Sequence, residues 1–80
     1  MDHILIIDDD TNINNLLREA LEKGSYTCSQ AYSGTEALLR LDMEPFDLVL
    51  LDLMLPGMSG ERVLEEIRRK RDIPVIVLTA

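Results

Sequence analysis

The sequence predicts an α/β domain built on a parallel sheet, with its elements in the order βαβαβαβ. Three observations carry this reading. Short apolar runs recur at residues 4–7, 48–51 and 75–78. They are too short for helices and too uniformly apolar for strands with a wet face, so they read as strands buried on both faces. Segments with helical periodicity separate them, each with recognisable start or stop residues. Finally, the apolar runs end on polar groups: Asp8-Asp9-Asp10, Asp52 and Thr79.

Taken in order, Ile4-Leu5-Ile6-Ile7 is the first strand, closed by the three aspartates. A helix follows, with Ile13, Leu16, Leu17, Ala20 and Leu21 on one stripe and Gly24 as its stop. Residues 26–31 alternate in polarity and fit an edge strand. Ser33-Gly34-Thr35-Glu36 has the pattern of a capping box and opens a helix to about Met43. The strand Leu48-Val49-Leu50-Leu51 reaches Asp52 and then a turn at Pro56-Gly57. Ser59 caps a third helix running to about Lys70, with Val63, Leu64 and Ile67 inward. Pro74 introduces the last strand, which reaches Thr79-Ala80.

Composition narrows the function classes. Eighty residues make one small domain, and 46% hydrophobic content suffices for a packed core. Eight basic against fifteen acidic side chains leave a net charge of −7, which argues against a nucleic-acid-binding face on this segment. The single cysteine, Cys28, excludes an internal disulfide and fits a reducing compartment; its alternating neighbourhood makes it a small buried hydrophobe. No apolar run approaches the ~20 residues of a membrane span, and the N-terminus lacks a signal-peptide pattern. A cytoplasmic location follows as an expectation.

Several features invite function but have plain readings. Arg68-Arg69-Lys70-Arg71 sits at a helix C-terminus, where cations suit the dipole, and Glu65 and Glu66 stand four residues before Arg69 and Lys70. His3 has no second ligand at metal spacing, Met43, Met54 and Met58 read as packing, and Gly57 and Gly60 do not form a phosphate-cradling loop.

The carboxylates are different. In a parallel sheet every strand ends at the same edge, where open α/β sheets bind their ligands. If the first and third strands are neighbours, Asp8, Asp9 and Asp52 converge. Like charges at that distance repel unless a cation is present, and Mg²⁺ suits an all-oxygen site. Read alone, the aspartate triplet is also a cap for the first helix; Asp52 and Thr79 at matching strand ends favour the site.

Ile-Ile-Asp-Asp at 6–9, Leu-Asp-Leu-Met-Leu-Pro-Gly-Met-Ser-Gly at 51–60 and Ile-Pro-Val-Ile-Val-Leu-Thr-Ala at 73–80 resemble the receiver domain of two-component response regulators, closest to the winged-helix DNA-binding subgroup of transcriptional regulators. The resemblance implies a flavodoxin-like doubly wound sheet in the strand order 2-1-3-4. It spans the whole chain and about the first two-thirds of the family's domain. The family's fifth strand, with a lysine at its end that pairs with the acceptor, and its last two helices have no counterpart in these residues.

By the same resemblance, Asp52 falls on the phosphoacceptor that takes a phosphoryl group from a histidine kinase. Asp9 falls on a direct Mg²⁺ ligand and Asp8 on the acid that holds the ion mainly through water. Met54 falls on the position whose backbone carbonyl completes the coordination. Thr79 falls on the switch hydroxyl that binds the phosphoryl oxygen, with Ala80 the small residue beside it. DNA contact would belong to an output domain outside this segment. Asn12, Asn14 and Asn15, beside the acidic site, are candidates for kinase contact.

Right-handed crossovers place the first helix on one sheet face and the other two on the opposite face. One helix then covers a face that the family covers with two, leaving apolar surface on the third and fourth strands and a bare edge. Self-association through that face or edge is the expectation. Two alternatives belong to other classes. A phosphatase of the haloacid dehalogenase type needs Asp-x-Asp-x-Thr, but Thr11 arrives one position early and Asn12 stands in its place. A receiver fragment acting only as a dimerisation module would associate without Mg²⁺ and take no phosphoryl group.

Overall fold

The computed structural model describes residues 2–78. Its elements are β1 (His3–Ile7), α1 (Thr11–Lys23), β2 (Thr27–Ala31), α2 (Gly34–Met43), β3 (Leu48–Asp52), α3 (Gly60–Lys70) and β4 (Val75–Leu78). The four strands form one parallel sheet in the order β2-β1-β3-β4. This is the doubly wound architecture that the resemblance implied, with the two most buried strands, β1 and β3, adjacent at its centre.

Alternation along each strand sorts the core into two layers. Leu5, Ile7, Ala31, Val49 and Leu51 face one side and pack with Ala37 and Leu41 of α2 and Val63 and Ile67 of α3. Ile4, Ile6 and Leu50 face the other, where Leu17 and Leu21 of α1 meet them beside Cys28, Leu48 and Leu78. Gly34 lets α2 and α3 approach: a Cβ there would lie 2.6 Å from Val63 Cγ2.

The α1 face differs from the sequence expectation. Leu17 and Leu21 point inward, but Ile13, Leu16 and Ala20 are exposed, Leu16 by 65%. The inward stripe is instead Asn14, Leu17 and Leu21, and Asn14 is the fully buried member. α1 packs on β1 and β2, so among the described residues the helix face turned away from them has nothing to bury against. The same asymmetry leaves Ile76 of β4 51% exposed on that side of the sheet.

Caps follow the sequence with local changes. Ser33 Oγ accepts from Glu36 N–H, while Glu36 Oε1 reaches back to Tyr32 N–H at 2.8 Å, one residue beyond the usual box partner. Ser59 Oγ accepts from Arg62 N–H. The stop of α1 is a Schellman turn, with Tyr26 N–H donating to Leu21 O and Ser25 N–H to Glu22 O. Its left-handed residue is Ser25, at φ 72°, and Gly24 sits at φ −86°.

The basic run on α3 is engaged locally, though not in the i,i+4 pairs expected. Arg69 pairs with Glu66 three residues back, Arg68 donates to Ile73 O, and Arg71 bridges to Asp42 of α2. Of the three methionines read as packing, Met58 packs against the core, whereas Met43 and Met54 are exposed.

Candidate functional site

The parallel register pairs Ile7 with Leu51, so the residues that leave β1 and the end of β3 share one edge. Carboxylate oxygens of Asp8, Asp9 and Asp52 all lie within 4.8 Å of one another. The condition set by the sequence, that the first and third strands be neighbours, is met.

The aspartates divide the work. Asp10 is the cap of α1, its Oδ1 accepting from Asn12 and Ile13 N–H at 2.9 and 3.1 Å. That frees Asp8 and Asp9 from the capping role. Asp8 is buried, 3% exposed, and its Oδ1 accepts from Asp10 N–H at 2.9 Å. Asp9 is exposed, and Asp52 is half-buried with Oδ1 held by Met54 N–H at 2.9 Å. One buried, one half-buried and one exposed carboxylate therefore ring a point open to solvent.

Burial pushes the Asp8 carboxyl above the ordinary carboxylate range, partly offset by the Asp10 N–H. The negative charge of Asp52, a hydrogen bond with it, and the charge of Asp9 push it further up. Desolvation and like-charge repulsion thus both penalise the fully ionised cluster. A divalent cation relieves both, and an all-oxygen set with an open side suits a hard ion that keeps several waters.

Asn14 buttresses the site. Its Nδ2 donates to the carbonyls of Asp8 and Ala31 at 2.9 and 3.1 Å, and its Oδ1 accepts from Gln30 Nε2 at 3.0 Å. Asp8 N–H also donates to Ala31 O. The side chain thereby ties the ends of β1 and β2 together beneath the acidic cluster. It is not available for kinase contact, contrary to the expectation from sequence. Asn15 Oδ1 accepts from the same Gln30 amide, and Asn12 is exposed. A polar residue inside a helical stripe, three positions before Leu17, was the available signal for the buttress.

Gly60 has a comparable role below Asp52. A Cβ there would sit 2.4 Å from Leu53 Cα and 2.8 Å from Asp52 O, so only glycine lets α3 begin against the backbone leaving β3. Gly57 takes φ 73° in the preceding turn. Met54 is 75% exposed and contributes its backbone at the site. Thr79 and Ala80 lie outside the described residues.

The fold and the acidic cluster define an open α/β domain whose ligand site lies at the carboxyl edge of its sheet. Residues 4–80 match the model of the response regulator receiver domain, and the chain belongs to that family. It is 44% identical over 78 residues to the probable transcriptional regulator ycf27 of Cyanidium caldarium, covering 98% of this chain and 31% of that protein. It is 44% identical over 77 residues to the transcriptional regulatory protein ResD of Bacillus subtilis, covering 96% and 32%. The chain therefore spans about a third of the length of these relatives. Among solved structures, the response regulator TrrA of Thermotoga maritima in complex with Mg(2+)-BeF superposes with a TM-score of 0.95 at 44% identity, over 100% of this chain and 70% of that one. TrrA has also been solved in complex with the histidine kinase ThkA, with a TM-score of 0.94 at 44% identity and the same coverage.

Proposed function

We propose that this chain is a phosphoacceptor that takes a phosphoryl group on Asp52 from the phosphohistidine of a histidine kinase. The observation that carries the reading is the convergence of Asp8, Asp9 and Asp52 at one strand edge, within 4.8 Å. Asp52 is the nucleophile because it ends the central strand with one oxygen held by Met54 N–H, which orients the carboxylate. Attack forms the P–O bond of an acyl phosphate as the P–N bond to the imidazole breaks, and the leaving nitrogen keeps the electron pair. Positioning and charge neutralisation dominate such a transfer.

Asp8, Asp9, Asp52 and the Met54 carbonyl would hold Mg²⁺. When bound, the ion offsets the repulsion between the anionic nucleophile and the anionic donor. Asp8, buried and pinned by Asp10 N–H, supplies a fixed charge, and exposed Asp9 can adjust to the ion. Thr79 is assigned the hydroxyl that binds the phosphoryl oxygen, and Ala80 the small residue beside it, from their place in the family motif.

Kinase recognition is assigned to the exposed Ile13 and Leu16 of α1, with Asn12 beside them, next to the acidic edge. The ThkA–TrrA complex supports a kinase as the partner class. The names of the relatives support a role in transcription, with DNA bound outside this acidic segment. No helix among the described residues is long and apolar enough to cross a membrane, in keeping with a cytoplasmic role. The exposed Ile76 and the open edge of β4 favour self-association of this chain as a second property.

The test is intact mass after incubation with acetyl phosphate, with and without Mg²⁺, beside Asp52→Asn. One phosphoryl increment that requires both Mg²⁺ and Asp52 is expected. No increment from a folded chain would leave the dimerisation-module reading in its place.

A further inference from the structure

At the edge of the sheet opposite the acidic site, where β3 and β4 begin, the α2–β3 and α3–β4 connections stand apart and enclose a cleft of about 390 Å³. That volume lies within the ~300–1,000 Å³ typical of clefts that take small molecules.

The walls are held from outside the cleft. On one side His3 ties down the α2–β3 connection: its N–H donates to Asp47 Oδ2 and its carbonyl accepts from Asp47 N–H, both at 2.8 Å, while its Nδ1 lies 3.1 Å from Pro45 O. On the other side Pro74 O accepts from Val49 N–H at 3.0 Å, and Arg68 donates to Ile73 O. Pro45 and Pro74 add fixed φ angles to the two walls. A cleft pinned in this way binds without first having to order its own walls.

The lining selects the chemistry of the ligand. Leu41 and Ile73, both part of the core, and the half-buried Phe46 give the cleft an apolar floor. Its rim carries Glu44, Asp47 and Asp72. Glu44 engages the fold through Oε1, which accepts from Ser29 Oγ at 3.2 Å, and His3 Nε2 lies 2.8 Å from the same hydroxyl. Asp47 engages it through Oδ2. Each keeps a second oxygen for a ligand, and Asp72 is exposed on the facing wall. Arg71, the one basic side chain among the described residues lining the cleft, is already paired with Asp42 of α2. A ligand therefore meets net negative charge above an apolar surface.

The rim does not suit a bare metal ion. Among the described residues, Asp8, Asp9 and Asp52 form the one group of three side chains close enough together to hold one. Carboxylates spread around an apolar floor instead match a larger cation whose charge sits at one end, and the Phe46 ring adds an aromatic partner for it.

We propose that this cleft binds a small organic cation with an apolar body, an arylalkylamine in class, its ammonium at the Glu44, Asp47 and Asp72 rim and its ring on the floor of Leu41, Phe46 and Ile73.

The test is a proton–nitrogen NMR titration of the whole chain with 2-phenylethylamine, with saturating Mg²⁺ present to compete at the acidic edge. Two comparison ligands keep the ring and change the head group: neutral 2-phenylethanol and anionic 3-phenylpropanoate. Saturable shifts of the Glu44, Phe46, Asp47, Asp72 and Ile73 amides are expected with the amine, with a dissociation constant on the order of 1 mM. The alcohol should bind about 5-fold more weakly or worse, and the propanoate should leave these amides unmoved. Asp72→Asn and Asp47→Asn should each weaken the amine roughly 2–5-fold, the range for a partly exposed charge pair, without changing the response to the alcohol. Asp47→Asn keeps an oxygen for His3 N–H, and if it does not fold, Asp72→Asn at its exposed position decides the matter alone. Equal binding of amine and alcohol would overturn the proposal. So would shifts that never saturate, or that fall at residues 8–10 and 52–54 instead of the cleft.

Discussion

Asn14 is the residue whose removal should reveal most about how the acidic edge is built. In Asn14→Ala, Ala31 O keeps the Asp8 N–H and Gln30 Nε2 keeps Asn15 Oδ1. The Asp8 carbonyl loses its side-chain donor. One orphaned buried acceptor costs about 1–3 kcal/mol, and the space left by a fully buried side chain adds to it. A loss of about 2–3 kcal/mol is expected, a large share of the ~5–15 kcal/mol that holds a domain together. For a chain of this size that lowers the melting temperature by roughly 10–20 °C.

Urea and thermal unfolding followed by circular dichroism measure the loss directly. Asn12→Ala, at an exposed position, should stay within about 0.5 kcal/mol of the parent. Asn14→Asp separates hydrogen bonding from packing: it preserves the volume but sets a carboxylate against two carbonyl oxygens, so it should be worse than alanine. Mg²⁺ binding should weaken in both Asn14 variants, since the tether fixes the backbone of Asp8. If Asn14→Ala matches Asn12→Ala in stability, the buttress argument fails.

Four further outcomes follow from the geometry. Asp8→Asn should stabilise the metal-free chain, because repulsion between carboxylates whose oxygens lie within 4.8 Å of one another is worth at least ~1–3 kcal/mol per pair between the dielectrics of water and of a protein surface; the same change should abolish Mg²⁺-dependent stabilisation in calorimetry. Because the Asp8 carboxyl is raised, the metal-free fold binds its proton more tightly than the unfolded chain does. Its contribution to stability therefore declines as pH climbs above the ordinary carboxylate range, and melting curves should show saturating Mg²⁺ reversing that decline. Ser25→Gly should raise stability by about 0.5–1 kcal/mol in urea titrations, since φ 72° is left-handed and the Schellman turn wants glycine there. Gly60→Ala should cost ~1–3 kcal/mol or more, because backbone atoms at 2.4 and 2.8 Å cannot move aside as a flexible side chain would; acetyl phosphate labelling should show Asp52 impaired beyond what the stability loss explains.

Much of the fold was legible in the sequence because its signals are local. A run of four apolar residues between helical segments identifies a buried parallel strand, and Ser33 and Ser59 mark helix starts by what their hydroxyls accept. The acidic site was legible for a related reason. Strand ends in a parallel sheet share an edge, so Asp8, Asp9 and Asp52 converge once β1 and β3 are neighbours.

Tertiary structure decided which side chains that edge requires for support. Asn14 looked like a candidate for kinase contact on α1, and only the adjacent carbonyl ends of β1 and β2 make its burial favourable. Ile13 and Leu16 carried the signal of a core stripe, yet they are exposed because burial depends on what stands opposite them. Gly24 looked like the helix stop, but the left-handed turn falls on Ser25, where the chain must redirect into β2. His3 seemed isolated because its partners lie 26 and more residues away. Hydrophobic periodicity and capping act within a turn or two, so sequence reports them; packing partners and hydrogen bonds between strands are set by topology, and only the folded chain brings them together.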